Sequence, residues 1–258
     1  MELFDSHSHY NDEKFDLDRE EILSKIYNFG VTKVIIAGYD VESSKKAIDL
    51  SKMHDFAYSI CGISPNDIPD EKDEILEEIN KIKEIARYEK VVAIGEIGLD
   101  YHWNTDNKEL QKEAFISQIK LANELNLPIV IHTREATIDT IEILKENLPI
   151  KRGVFHCCPL NQELVKEALN LDFYISLAGP ITFKNSKNAD EIIKMIPINK
   201  MLIETDCPYL SPEPHRGERN DSRNMIYQIE KIAEVKGISK EEVAKATYEN
   251  AKEVFNIK

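Results

Sequence analysis

Long apolar runs are missing from this sequence. None of its stretches approaches the ~20 consecutive apolar residues that a membrane-spanning helix needs. The amino-terminal segment MELFDSHSHY also lacks the basic cluster and apolar core of a secretory signal. We therefore expect a cytoplasmic protein that does not associate with membranes.

Cysteine is scarce and irregularly spaced. The chain has 4 cysteines, no C-x-x-C pair, and two of the four, Cys157 and Cys158, are adjacent. This spacing favours neither a zinc knuckle nor a disulfide framework. We expect all four to be reduced thiols.

Positive charge is in deficit. Lys and Arg number 33 against 47 Asp and Glu, which gives a formal net charge of -14. A surface this acidic repels a polyanion at long range, so it excludes indiscriminate coating of DNA. Any contact with nucleic acid must be local or bridged by metal ions.

Linkers, low-complexity tracts and internal repeats are also absent, so we predict one domain over residues 1–258. What the chain does contain is an alternation of short β-branched runs with longer helical stretches, which is typical of βα units around a parallel sheet. We count eight such runs, at residues 2–5, 33–38, 57–62, 91–96, 128–132, 153–157, 173–179 and 201–206. Since an α/β barrel takes ~250 residues, the pattern predicts a TIM (β/α)8 barrel.

Helical periodicity is clearest over residues 108–125, where apolar residues recur at spacings of three and four. A ninth helix is predicted to begin at Ser239, because Glu242 follows three residues later as in a capping box. We expect this extra C-terminal helix to pack on the barrel exterior.

Ligand-type side chains stand at or just beyond the carboxyl ends of five of these strands, namely His7, His9, Glu96, His132, His156 and Asp206. In a TIM barrel those ends converge on one face, where active sites occur. Imidazole and carboxylate together suit zinc, manganese, iron or nickel, whereas magnesium prefers oxygen ligands. The sequence therefore predicts a metal centre.

Glu96 and Asp206 are the candidate catalytic residues. Glu96 is suited to bridging two divalent cations, which ~3.5–4 Å apart would clamp the attacking and leaving oxygens of a displacement and acidify a bound water. Asp206 would orient or deprotonate that water. The alternative is that both carboxylates cap backbone amides of the loops that follow them.

A positive rim is predicted around the metals. Arg134 closely follows His132, and the Pro-rich loop 208–220 carries His215, Arg216 and Arg219. Guanidinium groups match phosphate oxygens, so this rim indicates a phosphorylated substrate. The alternative is a salt-bridged loop, above all for Arg219.

Two further segments offer substrate contacts. Tyr101, His102 and Trp103 follow the fourth predicted strand, and an aromatic ring there, for which Tyr101 is our candidate, would stack on a base; plain packing is the alternative. Lys184 lies beyond the seventh strand and would reach a phosphate, unless it is a solvated surface lysine.

The chain resembles the TatD-type metal-dependent deoxyribonucleases of the amidohydrolase superfamily. The resemblance runs almost end to end and rests on DSHSH (5–9), GEIGLDYHW (95–103), IHTREA (131–136), FHC (155–157), LAGPITFKN (177–185), ETDCPYLSPEPHRGERN (204–220) and ENAKEVF (249–255). It implies two divalent ions, with Mg2+ or Mn2+ supporting activity and Zn2+ sometimes bound. It implies that one ion is held by His7, His9, Glu96 and Asp206, and the other by Glu96, His132 and His156.

The sequence departs from this pattern after the third strand. Many relatives have G-x-H-P-H there, whereas this chain has G-I-S-P-N, with Ser64 and Asn66 in place of the histidines. Both are candidate substrate contacts, but neither can act as an imidazole acid near neutral pH. Cys158 and Ser222 also replace the usual Phe and Pro, which indicates a change in pocket shape.

We expect a deoxyribonuclease that hydrolyses DNA phosphodiester bonds, acting 3′-to-5′ on single-stranded DNA or 3′ ends, without an obligate protein partner. One alternative is a metal-dependent amide or ester hydrolase, such as an aminoacyl-tRNA deacylase, because metal-bound hydroxide attacks carbonyl carbon as well as phosphorus. The other is a non-catalytic interaction protein that stores a structural ion.

Overall fold

The structure is a computed structural model that describes residues 1–103 and 105–258. Its sheet has eight parallel strands, which lie side by side in chain order. They are β1 Leu3–Ser8, β2 Val31–Ala37, β3 Ala57–Cys61, β4 Val91–Asp100, β5 Ile129–Arg134, β6 Gly153–Phe155, β7 Tyr174–Leu177 and β8 Met201–Ile203. Each overlaps one of the eight predicted runs.

A helix follows every strand, and one more ends the chain. The helices are α1 Arg19–Phe29, α2 Val41–Met53, α3 Lys72–Ile85, α4 Lys108–Leu125, α5 Thr137–Glu146, α6 Gln162–Asn170, α7 Ala189–Met195, α8 Met225–Lys236 and α9 Lys240–Val254. The predicted TIM barrel with an extra C-terminal helix is therefore confirmed, as is the helix over residues 108–125. In the described part of the chain no helix is both long and apolar enough to cross a membrane.

The sheet curls until its first and last strands meet. The Ser6 hydroxyl of β1 donates to the carbonyl of Ile203 in β8 at 2.9 Å. Just beyond β8, the Asp206 amide donates to the carbonyl of His7 at 3.0 Å. These contacts nearly close the barrel, and they place the two ends of the motif set beside each other.

Side chains alternate across the strands because successive residues of a strand point to opposite faces. In β2, Val34 and Ile36 belong to the large core that includes helix residues such as Leu23. Ile35 and Ala37 belong to a second apolar cluster, formed mainly by strand residues. The first cluster lies between strands and helices, and the second fills the barrel interior.

Helix α9 begins with the predicted capping box, in which the Ser239 side chain accepts from the Glu242 amide and the Glu242 carboxylate accepts in return. Val243 and Ala244 of this helix belong to the core between strands and helices, but the end of the segment reaches further. Phe255, at its end, joins the interior cluster, with its ring centroid 6.4 Å from that of Phe4. The segment therefore covers the amino-terminal end of the barrel, opposite the metal-ligand candidates.

Candidate metal centre

The six predicted ligands come together at the carboxyl ends of the strands. His7 lies in β1 and His9 just after it, Glu96 in β4 and His132 in β5, while His156 follows β6 and Asp206 follows β8. His7 and His9 are two residues apart, so both rings point to the same side of the chain. Most of these side chains are buried, with His7 wholly so.

The carboxylate of Glu96 lies at the centre of this group. Its Oε1 is 2.9 Å from Nδ1 of His132 and 3.3 Å from Nε2 of His156. Its Oε2 faces the other way, at 3.5 Å from Nε2 of His7 and 4.0 Å from Nε2 of His9. Each oxygen of one carboxylate thus faces a separate pair of imidazole nitrogens, as a bridging ligand would.

Asp206 completes the group on the side of β1. Its Oδ1 lies 3.1 Å from Nε2 of His9 and 3.8 Å from Nε2 of His7. Its backbone is left-handed, with φ of 55°, a conformation that aspartate adopts more readily than most residues. The hydrogen bond to the His7 carbonyl holds the turn in this conformation.

The donor atoms fit divalent cations. Nitrogen and oxygen ligand atoms of His7, His9 and Glu96 lie within 4.8 Å of one another, as do those of Glu96, His132 and His156. Two imidazole nitrogens, Nε2 of His7 and Nε2 of His9, face each other at 3.3 Å. Such a contact is favourable only when a cation or a proton is shared, and a cation would satisfy all of these atoms together.

Electrostatics keep the two carboxylate donors in the form that a metal prefers. Burial opposes ionisation of Glu96, but the surrounding imidazoles outweigh it and hold the pKa of this carboxyl well below its usual range. Burial likewise opposes ionisation of Asp206, yet hydrogen bonding and charge from His9 lower its pKa to about 2. Both carboxylates are therefore negatively charged at neutral pH.

Three of the imidazole rings contact acceptor oxygens through the ring nitrogen that faces away from the shared ligand group. Nε2 of His132 lies 2.9 Å from Oδ2 of Asp100, and Nδ1 of His9 lies 3.2 Å from the carbonyl oxygen of Ala37. Nδ1 of His156 lies 3.3 Å from Oε1 of Glu204. Hydrogen bonds such as the first two fix the tautomer and ring orientation of metal-binding histidines, whereas the contact between His156 and Glu204 lies outside hydrogen-bond geometry.

Asp100 and Glu204 are not among the site residues predicted from the sequence, although spacing contains a signal for both. Asp100 stands four residues after Glu96 on one strand, and Glu204 stands two before Asp206. Even spacing along an extended chain puts side chains on the same side. Both are fully buried, so they act on the imidazoles rather than on a ligand in solution.

A cavity of about 870 Å³ opens above the metal-ligand candidates. Ser64, Asn66 and Arg134, three of the predicted substrate contacts, line it. The Ser64 hydroxyl donates to Oδ2 of Asp67 at 2.5 Å, and the Asn66 amide donates to Oδ2 of Asp100 at 3.3 Å. Both side chains that replace histidines are thus bonded to carboxylates of the protein itself.

Four other predicted contacts are not among the residues that line this cavity, namely Tyr101, Lys184, His215 and Arg216. The Tyr101 hydroxyl donates to Asp139 at 2.6 Å. The ring of His215 is held between Glu218 and Tyr227. Their roles in substrate binding stay predictions.

The loop that carries these basic residues is tied to the barrel. Arg216 lies over the ring of Phe183, with 4.3 Å between its guanidinium carbon and the ring centroid, and Lys184 is exposed. Arg219 forms a bidentate ion pair with Asp18, at 2.9 and 2.5 Å. For Arg219 the arrangement is the salt-bridged loop that we considered as the alternative to phosphate binding.

In the loop after β4 the aromatic residue that lines the cavity is Trp103, two residues beyond the predicted Tyr101, and Tyr39 and Tyr209 line the cavity elsewhere. Cys157 and Cys158 line it as well, and all four cysteines are free thiols. Sequence spacing alone does not tell which ring of this loop faces inward, because the segment is a turn with no fixed period.

A parallel (β/α)8 barrel with imidazoles and carboxylates gathered at the carboxyl ends of its strands defines the class of metal-dependent barrel hydrolases. Comparison with known proteins identifies the family within this class. Residues 4–256 match the family described as TatD related DNase. The chain belongs to this family, the TatD family of metal-dependent hydrolases.

The sequence is similar to those of its relatives over nearly their full lengths. The metal-dependent hydrolase YabD of Bacillus subtilis is 44% identical over 99% of both chains. YcfH of Escherichia coli K12, also named a metal-dependent hydrolase, is 34% identical over 100% of this chain and 97% of its own. The solved structure of YjjV, a TatD homolog from Escherichia coli, superimposes with a TM-score of 0.87 at 25% identity, covering 99% of this chain and 98% of that one.

Proposed function

We propose that the protein is a deoxyribonuclease that hydrolyses phosphodiester bonds at the 3′ ends of single-stranded DNA. The observation that carries the proposal is the bridging position of Glu96, whose two oxygens face two separate pairs of imidazoles at the floor of an open cavity. The name of the matching family, TatD related DNase, supports phosphodiesters as the substrate.

Two divalent ions, Mg2+ or Mn2+ for activity with Zn2+ as a further candidate, would be held by the two ligand groups that share Glu96. When bound, such a pair supplies an acidified water and charge stabilisation for the oxygens of the displacement. The protein contributes the arrangement of the metal-ligand atoms. The carboxylates of Glu96 and Asp206 are ionised and directed at the imidazoles before any substrate arrives.

Asp206 is the proposed general base. Among the six ligands it is the carboxylate that is half-buried rather than buried, and it lines the cavity. Its lowered pKa keeps the carboxylate unprotonated at neutral pH, the form that a proton acceptor must have. Glu96 is deeper and contacts four imidazoles, so we assign it to holding the ions.

The cavity supports an exonuclease acting on single strands. Its wall contains a fixed positive charge, Arg134, close to the metal ligands, whereas the protein as a whole is strongly acidic, with a net charge of -14. Arg134 thus offers a phosphate group a local positive charge at the mouth of the barrel. A strand end enters such a mouth more readily than a duplex does.

The experiment is cleavage of a labelled single-stranded oligonucleotide. We expect no cleavage after chelation, recovery with added Mn2+ or Mg2+, and loss of cleavage in a Glu96→Ala variant, while an exposed control, Glu163→Ala, stays active. A 3′-blocked oligonucleotide should resist digestion and a 5′-blocked one should not. Cleavage by the chelated protein or by Glu96→Ala would refute the mechanism.

One observation favours a second candidate, hydrolysis of an amide or ester such as an aminoacyl-tRNA linkage. Ser64 and Asn66 donate to Asp67 and Asp100, so neither offers an acid to a phosphodiester leaving group. The carbonyl carbon of an activated ester is attacked more readily than the phosphorus of a phosphodiester, so its hydrolysis has less need of such an acid. Parallel assays of an oligonucleotide and an aminoacyl ester with the same metal-loaded protein separate the two candidates. Metal binding without turnover of either substrate would instead indicate a non-catalytic protein.

A further inference from the structure

An exposed tryptophan stands at the mouth of the cavity. Trp103 lines the cavity, and 70% of its surface is exposed. Exposure of a large aromatic ring in water is unfavourable, so a tryptophan placed beside an active site is a candidate for stacking on a ligand. It is also the chain's single tryptophan.

The backbone of Trp103 is fixed by the same carboxylate that orients a metal-ligand candidate. Its amide donates to Oδ1 of Asp100 at 3.2 Å, and the amide of His102 donates to that oxygen at 2.9 Å. The other oxygen of Asp100 accepts from His132. One carboxylate therefore links the backbone of Trp103 to a metal-ligand candidate.

Arg134 is the partner of this ring. It follows His132 by two residues on β5, so both side chains point to the cavity side of the strand. Its guanidinium carbon lies 5.3 Å from the centroid of the Trp103 ring. Nδ1 of His102 and Oε1 of Glu135, 2.7 Å apart, join the residues that stand next to Trp103 and Arg134 in the chain.

Charge is distributed unevenly around the cavity. The loops after β1 and β3 contribute carboxylates to its wall, Asp12 and Asp67. Of the described residues that line the cavity, only Arg134 bears a permanent positive charge, and no ion pair to it is found in the described parts of the chain. A phosphate backbone is therefore repelled by the part of the wall that contains Asp12 and Asp67 and attracted to the part that contains Arg134.

We propose that Trp103 and Arg134 form a nucleotide-binding subsite, in which the indole stacks on the base next to the scissile bond and the guanidinium binds the adjoining phosphate. The inference rests on the proposed nuclease function and adds to it a requirement for an oligomeric, base-bearing substrate. Aromatic rings combined with cationic groups bind single strands in this way without reading their sequence. The assignment moves base stacking from Tyr101, whose hydroxyl is engaged by Asp139, to Trp103.

Because the chain has a single tryptophan, its fluorescence reports directly on the subsite. The test titrates the full-length, metal-loaded protein with a phosphorothioate oligothymidylate, which resists cleavage, and with an abasic oligomer of equal length. We expect saturable quenching by the first and little by the second. Equal responses to both would overturn base stacking, and quenching by neither would do the same.

Variants provide the second measurement, binding of a labelled oligonucleotide by fluorescence anisotropy. Trp103→Ala should weaken binding by about 5- to 150-fold, and Trp103→Phe by much less. Arg134→Ala should weaken binding and reduce its dependence on salt. Matched controls at exposed positions outside the cavity, Tyr27→Ala and Arg87→Ala, should bind like the parent protein. Full affinity in Trp103→Ala would overturn the proposal.

A small diester, bis-p-nitrophenyl phosphate, separates this inference from the proposed function. Hydrolysis of this diester by the parent protein tests the nuclease chemistry, whereas a rise in the KM of Trp103→Ala for oligonucleotides, with no such rise in Tyr27→Ala, tests the subsite. If the parent protein cleaves DNA but neither the quenching nor the KM depends on Trp103, the subsite is wrong and the nuclease assignment stands. If the bases quench the indole yet no diester is cleaved, the subsite stands and the nuclease assignment fails.

Discussion

The imidazole of His132 bridges two carboxylates, with Nε2 2.9 Å from Oδ2 of Asp100 and Nδ1 2.9 Å from Oε1 of Glu96. Asp100 therefore fixes the tautomer whose Nδ1 lone pair faces the metal-binding side. The relation makes Asp100 a positioning residue, distinct from the ligands themselves.

Replacing Asp100 by Asn should weaken metal binding by about 10- to 100-fold, since a neutral amide accepts a weaker hydrogen bond and no longer enforces the tautomer. Isothermal titration with Mn2+ or Zn2+ measures the change. Asp139→Asn is the matched control, because Asp139 binds Tyr101 and Lys112 and does not line the cavity. Equal affinities in the two variants would contradict a positioning role for Asp100.

Metal binding should release protons at neutral pH. Burial opposes the charged form of His132 and His156, but carboxylates outweigh it and raise the pKa of both rings, with that of His156 well above the usual range. Since a metal binds the unprotonated ring, the apparent affinity should increase from about pH 6 to 8.

Calorimetry in buffers with different ionisation enthalpies counts these protons. A titration in which no proton is released, or in which affinity falls as the pH rises, would show that the imidazoles are already neutral without metal. Burial lowers the pKa of His7, so this ring is expected to contribute no proton.

Ser222 should stabilise the fold although it touches no predicted ligand. Its hydroxyl donates to Oδ2 of Asp5 at 2.6 Å and lies 2.7 Å from the hydroxyl of Tyr10. Ser222→Ala removes one hydrogen-bond partner from each of two buried groups, the carboxyl of Asp5 and the hydroxyl of Tyr10. This loss should lower the free energy of unfolding by about 1–3 kcal/mol. Denaturant unfolding measures this, and the exposed Ser24→Ala should change stability little.

Asp5 should make stability fall as the pH rises. Burial raises the pKa of this carboxyl from 3.8 to about 7, despite hydrogen bonds from Ser222 and Thr205. The folded state therefore binds more protons than the unfolded state between roughly pH 4 and 7. Across that window the free energy of unfolding decreases by up to about 4 kcal/mol from this group.

Comparison of the parent protein with Asp5→Asn isolates this contribution, when both are unfolded in chelator over the same pH range. The amide is a fair replacement, because the hydroxyls of Thr205 and Ser222 can rotate to accept its hydrogens. Parallel stability curves for the two proteins would show that Asp5 keeps an ordinary pKa.

The fold was predictable to a large extent. The β-branched run at residues 33–38 lies between helical stretches, a pattern typical of parallel strands that are buried on both faces. The clearest local signal, Ser239 with Glu242, marks the start of α9 in the structure as it does in the sequence. The position of the segment that follows α9 was not predictable, because the contact of Phe255 with Phe4 depends on closure of the barrel.

The metal-ligand candidates were accessible from the sequence for the same reason. His7, Glu96 and Asp206 stand at strand ends, and barrel closure brings any such positions together whatever their separation in the chain. Local residue type and strand periodicity thus determine which side chains share the floor of the cavity.

Tertiary structure alone decided the rest, because it depends on loops without a repeating period and on contacts between distant segments. The turn after β4 directs Trp103, rather than Tyr101, into the cavity. Packing against Phe183 holds Arg216 away from the cavity wall, while the strand places Arg134 in it. The bond from Ser222 to Asp5 joins residues 217 positions apart, a distance over which no sequence pattern carries geometric information.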